Sequence, residues 1–250
     1  MPTLQGMRRR GMSMGALREF ITKQGPSQNI VNQDWTQIWA INKKHIDPVA
    51  PRHTAVTISG IVEVIINGGF ETAYIEYKSK HNKNPELGNK RIVHGKKILI
   101  DQEDAKSFSE DEEIILMNWG NAIVRKINRT MDSLNEAVTS LESDLHLQGD
   151  FKKTKNKITW LAQEQDLVPV HLVDFDHLIT KDKLEKLDNP VDFLTPQTES
   201  RTEVLADCNV ATLGTDDIIQ FERRGYFRVD QPLLDGKPMV MFEIPTGKRK

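Results

Sequence analysis

Beyond Arg52 the chain reads as short candidate strands cut by turn residues, and this punctuation is what most limits the fold. The candidate strands fall at 54–66, 72–78, 91–100, 113–118 and 121–127, then 136–147, 157–162 and 168–176, with a late hairpin at 217–229. Between them stand Asn67-Gly68-Gly69, Trp119-Gly120-Asn121, Gln148-Gly149-Asp150 and Arg224-Gly225, the residue types that turns require. Many short strands after a helical start predict antiparallel sheets or barrels rather than a parallel sheet. Uninterrupted apolar runs reach about four residues, as in Ile114-Ile115-Leu116-Met117, against the roughly 18 of a membrane span. A transmembrane helix is excluded.

The first 52 residues have a different texture. Ser13 can cap a helix over 13–24, with Met14, Leu17, Phe20 and Ile21 at helical spacing and Gly25-Pro26 ending it. A second helix is expected at about 34–45, where Asp34 and Gln37 form a capping-box pair and Asp47-Pro48 stops it. Residues 182–202, with Pro190 and Pro196 among many polar side chains, read as a linker or long loop. The run 101–113 holds seven acids and one lysine and reads as a solvated connector. Asp174 and Asp176 follow strand alternation and are expected to face solvent.

Several chemistries are missing from the sequence. No Gly-x-Gly-x-x-Gly opens a helix, no Gly-x-x-x-x-Gly-Lys-Ser/Thr cradles a phosphate, and no Gly-x-Ser-x-Gly elbow occurs. Cys208 is the single cysteine, which removes a disulfide framework and a cysteine-built zinc site. The seven histidines show no metal-ligand spacing. The expectation is a cytoplasmic protein with no catalytic residue and no metal ligand in this chain, and with no membrane partner.

The chemistry that remains suits a polyanion. The net charge is −2, but residues 1–55 carry eight basic and three acidic side chains, +5, which leaves −7 on the other 195 residues. A basic end on an acidic chain predicts an oriented contact with a polyanion. Basic clusters recur at Arg8-Arg9-Arg10, at Arg125-Lys126 with Arg129, at Lys152-Lys153 with Lys155 and Lys157, and at Arg223-Arg224 with Arg228. Phe151, Trp160, Phe221, Tyr226 and Phe227 lie among them. Charged rims and aromatic platforms on small barrels fit single-stranded RNA loops, whose unstacked bases offer faces and edges.

Several stretches are recognisable together. Pro2-Thr3-Leu4-Gln5-Gly6-Met7-Arg8-Arg9-Arg10-Gly11 and Ala16-Leu17-Arg18-Glu19-Phe20-Ile21 are similar to the segment after the catalytic domain of eukaryotic and archaeal-type class I glutamyl- and glutaminyl-tRNA synthetases. The resemblance continues through Ala50-Pro51-Arg52, Asn84-Pro85-Glu86-Leu87-Gly88, Ile98-Leu99-Ile100-Asp101 and Lys157-Ile158-Thr159-Trp160. It ends on a long and specific motif, Gln220-Phe221-Glu222-Arg223-Arg224-Gly225-Tyr226-Phe227. Residues 38–49 and Leu116-Met117-Asn118-Trp119-Gly120-Asn121-Ala122 resemble the glutamyl branch; at Met117 the glutaminyl branch typically has an arginine that helps to read the anticodon.

The resemblance implies a mainly β protein with a short helical N-terminal subdomain and two antiparallel β-barrels. The helical stem-contact subdomain would be 1–52, the proximal anticodon-binding barrel 53–107 and 168–246, and the distal barrel 108–167. It implies tRNA(Glu) as partner, with Arg52, Gln220 and Arg223 contacting the middle anticodon base and Arg8, Arg9 and Arg10 contacting RNA phosphates. ATP and Mg2+ are implied for the full-length enzyme only. The His-x-Gly-His and Lys-Met-Ser-Lys-Arg-type signatures that activate the amino acid do not occur here: His94-Gly95 has no second His, and Tyr77-Lys78-Ser79-Lys80 is a look-alike in a strand or turn. The chain is therefore expected to begin just after the second signature, with Met1 internal and the transit-peptide look of its arginine-rich start accidental. Alone it should form no glutamyl-adenylate. The corresponding region of a glutaminyl enzyme and a free-standing RNA-binding module are the competing readings.

Overall fold

A computed structural model describes residues 3–26, 33–68, 72–132, 135–152, 154–181 and 183–247. Gly69, Lys153 and the Lys248-Arg249-Lys250 tail, which the sequence singled out, lie outside the described residues.

Three helices come first. α1 (Leu4–Arg9) is capped by Thr3, whose hydroxyl accepts from the Gly6 amide at 3.1 Å. α2 (Met14–Gln24) starts at Ser13, which accepts from the Ala16 amide at 3.1 Å, and ends at Gly25, whose φ of +69° suits glycine. α3 (Trp35–Ile46) starts at Asp34, which caps through the Thr36 amide at 3.0 Å rather than through the predicted box with Gln37. Asn42, fully buried on α3, joins these elements: it accepts from the Ser13 amide at 2.8 Å and donates to the Gly11 carbonyl at 3.0 Å. The helices are not a separate layer with a core of their own. Ala16, Ile38, Trp39, Ile46 and Ala50 pack with Tyr226 and Ile244, which come from the last strands of the chain.

Among the described residues the remainder holds strands, one further α-helix and three short 3-10 turns. In chain order the elements are β1 (Arg52–His53), β2 (Ala55–Thr57), β3 (Val62–Asn67), β4 (Tyr74–Ser79), β5 (Asn89–His94), β6 (Lys97–Ile100), α4 (Gln102–Ser107), β7 (Glu113–Leu116), β8 (Gly120–Asp132), β9 (Asn135–Leu145), β10 (Lys157–Ile158), β11 (Leu161–Ala162), β12 (Val168–Phe175), β13 (Glu199–Ala206), β14 (Ile218–Phe221), β15 (Gly225–Gln231) and β16 (Met239–Ile244). Among the described residues they form two seven-stranded, curled half-barrel sheets and a ribbon. The first sheet runs β1-β14-β15-β16-β12-β13-β2, the second β10-β7-β8-β9-β3-β6-β11, and β4-β5 make the ribbon. Antiparallel pairs dominate, but β1–β14, β7–β10, β12–β16 and β3–β9 run parallel. Such pairs arise because each sheet is assembled from segments distant in sequence, without hairpin connections between those strands.

The sheet division differs from the barrel boundaries expected above. β3 and β6 belong to the second sheet, since β3 pairs with β9 from Glu63↔Ser140 to Asn67↔Asp144, and β6 pairs with both β3 and β11. The chain thus leaves the first sheet after Thr57 and rejoins it at Val168, so the inserted sheet is larger than 108–167. Its core includes Val62, Ile98, Ile114, Leu116, Leu141 and Ile158, whereas that of the first sheet includes Val170, Val204, Ile219, Phe221, Val229 and Met241.

Two segments read as irregular carry regular elements. The 182–202 stretch is mostly loop, as read, but its last four residues open β13, which pairs with β12 from Val168↔Ala206 to Phe175↔Glu199. The first five residues of β13 are exposed, which explains their polar composition. The acidic run contains α4, with Glu103 and Asp104 in the first turn, where the helix dipole favours carboxylates.

Candidate nucleic-acid interface

β1 places the first predicted base reader. Arg52 is the register partner of Gln220 on β14, and Gln220 is in turn the partner of Tyr226 on β15, so the three stand in one row across three strands. Backbone bonds fix the row: the Gln220 amide donates to the Pro51 carbonyl at 2.9 Å, and the Arg52 amide to the Lys80 carbonyl at 2.7 Å. Tyr226 is buried and donates its hydroxyl to Asp47 just after α3; burial and this carboxylate hold its pKa well above the ordinary tyrosine value. Arg52 and Gln220 are only half buried. Among the described residues Arg52 forms no salt bridge, and its buried Nε has no hydrogen-bond partner. The structure therefore sets together a guanidinium with unused donors and a side-chain amide, the pair of groups that can read a base edge.

On the other side of the same strands lies a buried polar network. His53 Nδ1 is 3.3 Å from Asp207 Oδ1, and the Thr54 amide donates to Asp207 Oδ2 at 2.8 Å. Burial opposes ionisation of Asp207, but His53, Lys90 and the Thr54 amide outweigh it and pull its pKa below the ordinary value. Lys90, also buried, donates to the Arg52 carbonyl at 2.8 Å and to Glu222 at 3.4 Å. Glu222 further accepts from Asn118 and Thr54, each at 3.4 Å. Thr54, Lys90 and Asp207 of this network line a cleft, with Met117, Asn118 and Trp160 on its facing wall.

Asn118 takes a φ of +67° in the turn after β7, and Lys78 donates to its carbonyl at 2.5 Å. Trp160 donates its indole N–H to the Met117 carbonyl at 2.8 Å. Behind it His94 stacks on Tyr74 with centroids 4.6 Å apart, and Trp119 lies 4.7 Å from Trp160. Trp160, Phe221, Tyr226 and Phe227 are all buried, so these rings build cores rather than the platforms expected from their place among basic residues; Phe151 is exposed.

The third predicted base reader sits at the tip of the β14–β15 hairpin. Arg223 has a φ of +66° in the turn that the Arg224 amide closes onto the Phe221 carbonyl at 3.0 Å. Its guanidinium pairs end-on with Asp104 of α4, Nη1 to Oδ2 at 2.5 Å and Nη2 to Oδ1 at 2.7 Å, and this hydrogen bonding raises its pKa. Its neighbour Arg224 reaches Asp101 at 2.7 Å, Thr57 Oγ1 at 2.7 Å and the Ala55 carbonyl at 3.1 Å. Sequence reasoning missed both carboxylates, because an acidic run offers no sign of which acid meets an arginine more than 100 residues away.

The Arg8-Arg9-Arg10 cluster is divided by the fold. Arg9 makes a two-point pair with Asp230, both bonds 2.7 Å, and lies over the Phe242 ring. Arg10 lies over Trp39 and Phe175, donates to the Phe175 carbonyl and is 3.8 Å from Asp174, which corrects the solvent-facing expectation for that acid. Burial pulls the Arg10 guanidinium below its ordinary pKa against the nearby acids. Arg8 is exposed, without an ion pair among the described residues. Elsewhere Arg125 pairs with Asp111 and Asp144, and Arg228 with Asp216 and Asp230, while Lys152, Lys155 and Lys157 are exposed.

This division has a measurable consequence for RNA binding. Replacing Arg8 with alanine should flatten the slope of log affinity against log salt by about 0.7–0.9, the value of one neutralised phosphate. Replacing all three arginines should flatten it little further but lower the melting temperature, since Arg9 and Arg10 tie the N-terminal segment to the first sheet. A triple variant whose slope falls by about three contacts' worth, with unchanged melting temperature, would contradict this assignment.

Comparison with known proteins follows the same outline. Two family profiles described as "tRNA synthetases class I (E and Q), anti-codon binding domain" match residues 50–145 and 157–230. The catalytic-domain profile of the same family matches residues 1–48. The chain is 56% identical over 247 residues to the probable cytoplasmic glutamate–tRNA ligase of Schizosaccharomyces pombe and 51% identical over 247 residues to the cytoplasmic glutamate–tRNA ligase of Saccharomyces cerevisiae. Each of these alignments covers 99% of this chain and 34% of the relative. Against the bifunctional glutamate/proline–tRNA ligase of Mus musculus it is 38% identical over 259 residues, covering 100% of this chain and 17% of that protein. The chain thus spans about a third of the length of the first two relatives.

Proposed function

The chain belongs to the class I tRNA synthetases for glutamate and glutamine, and from that premise we propose that it is the tRNA-binding, anticodon-contacting part of a cytoplasmic glutamate–tRNA ligase. The observation that carries this reading is the agreement along the chain between the anticodon-binding profiles and relatives named as glutamate–tRNA ligases. Those names favour the glutamyl branch over the glutaminyl one, and the relatives' much greater length favours a part of a ligase over a free-standing module. Met117, on the wall of the cleft, agrees with the glutamyl choice.

The ligand of this part is tRNA(Glu). Arg52 and Gln220, side by side and half exposed, supply donors and an acceptor to the edge of an unstacked middle base, and Arg223 adds a second guanidinium from the hairpin tip. Arg8 contacts phosphate and so positions the RNA without reading it. ATP and Mg2+ belong, on this reading, to the complete ligase. Amino-acid activation would draw on parts of the ligase outside this chain, since the sequence has no glycine-rich phosphate loop.

Equilibrium binding of the 250-residue chain to a glutamate tRNA transcript, and to the same transcript with the central anticodon U changed to A, tests the reading. The U form should bind about fivefold to a hundredfold more tightly. Equal affinity for both would sink the anticodon reading, and a consistent preference for a glutamine transcript would move the chain to the glutaminyl branch.

A further inference from the structure

The hairpin tip poses a problem that its own geometry resolves. Arg223 is offered as a base contact, yet it is already tied to Asp104 by two short bonds. A guanidinium has five N–H donors in a rigid plane. The end-on pair takes one hydrogen from each Nη and leaves the Nε–H and the adjacent Nη2–H pointing the same way along the free edge. That edge is a two-donor fork suited to a base or phosphate oxygen. The Asp104 side chain is only 12% exposed, so releasing Arg223 would strand a largely desolvated carboxylate. The pair is therefore built to persist while the free edge works.

Two further features point the same way. Arg223 occupies a left-handed backbone position, φ +66°, that favours glycine, although glycine stands two residues later at Gly225. A non-glycine residue in that conformation is consistent with a role for its side chain, as a position without one would suit glycine better. Arg224 separately fastens the hairpin to Asp101 beside α4, so the tip stays docked whether or not Asp104 is charged. Asp104 is thereby left to act on the direction of one side chain.

Resting on the reading of Arg223 as a base contact, we infer that Asp104 is the positioning residue for Arg223: it holds one edge of the guanidinium so that the other faces the middle anticodon base.

The test compares Asp104→Asn, Asp104→Glu and Arg223→Ala in the full 250-residue chain, using the U- and A-centred transcripts and the melting temperature. Asp104→Asn should lose about fivefold or more of the U-over-A preference, as a large part of one base contact. It should do so with little change in melting temperature, and Asp104→Glu should recover most of the preference. Adding Asp104→Asn to Arg223→Ala should cost no more than Arg223→Ala alone, because both remove the same contact. If Arg223→Ala abolishes the preference but Asp104→Asn leaves it whole, the positioning role is wrong and the base contact stands. Tighter binding of both transcripts by Asp104→Asn would make Asp104 a competitor of RNA and overturn the inference. If Arg223→Ala itself keeps the preference, the base contact fails and the inference fails with it.

Discussion

Replacing Asp207 with alanine should lower the folding free energy by about 3–5 kcal/mol, the cost of breaking a buried charge pair by removing one partner. Asp207 is 6% exposed and its carboxylate is fully engaged, by His53, by the Thr54 amide at 2.8 Å, by the Asn209 amide at 3.0 Å and by Asn209 Nδ2 at 2.7 Å. Removing it leaves the Thr54 amide unpaired and takes the carboxylate away from the buried His53 and Lys90. The same residue joins the end of β13 to the β1–β2 link, since its amide donates to the Thr54 carbonyl at 3.0 Å. The loss therefore falls where Arg52 is held.

The pH dependence follows in sign. The folded Asp207 has a pKa below its ordinary 3.8, so the folded state binds the proton less readily than the unfolded chain. Its contribution is complete above about pH 4 and is lost as the pH falls toward and through the folded value. Urea titrations from about pH 7 down to about pH 3 should show wild-type stability falling at the acid end and a flatter acid limb for Asp207→Asn. A loss below about 1 kcal/mol in the alanine variant, or an unchanged acid limb in the asparagine variant, would show that the network is not a main support of the first sheet.

The largest functional effect should come from Arg52. Its guanidinium forms no salt bridge among the described residues, and its strand is held by backbone bonds through Arg52 N and Gln220 N. Arg52→Ala should therefore leave the melting temperature nearly unchanged and remove about 1–3 kcal/mol of preference for the central U. Gln220→Ala should act in the same direction, and Arg223→Ala should add to both. The measurement is the ratio of affinities for U- and A-centred transcripts, which cancels the phosphate contribution common to both. If that ratio survives all three substitutions, Arg52 and Gln220 are braces of the β1–β14 pair and read nothing.

Local signals located the local structure well. Ser13 and Gly25 bound α2 as their chemistry requires, Trp119-Gly120 marks the turn before β8, and Arg224-Gly225 marks the β14–β15 hairpin. Signals that depend on distant partners were silent. β13 begins with Glu199-Ser200-Arg201-Thr202-Glu203, a polar string that becomes strand because β12 supplies its hydrogen bonds and one face meets solvent. α4 was hidden in a run of acids whose partners, Arg223 and Arg224, lie more than 100 residues downstream. The basic clusters misled in a similar way. Arg9 finds Asp230 across 221 residues of sequence and Arg10 is sandwiched by rings, so adjacency in the chain does not make a shared surface.

The site was legible to a different depth. Arg52 and Gln220 came from the resemblance to a family, and the parallel β1–β14 pair gives that choice a physical form by making them neighbours. Nothing local could pair residues 168 positions apart in sequence. Of the polar network, Glu222 lies in the Gln220–Phe227 motif, but His53, Lys90 and Asp207 had no sequence signature, since each is a single polar residue in an ordinary strand or turn. These three are recognisable only once burial is known, because a desolvated charge must find a partner while an exposed one need not.

Nucleotide-by-nucleotide protection of a glutamate tRNA by the purified 250-residue chain tests the central claim most directly. The account predicts strong protection across the anticodon loop, centred on the middle base, lost there in Arg52→Ala but retained at the phosphates that Arg8 contacts. Protection confined to the stems, with an anticodon loop as reactive as in free tRNA, would contradict it.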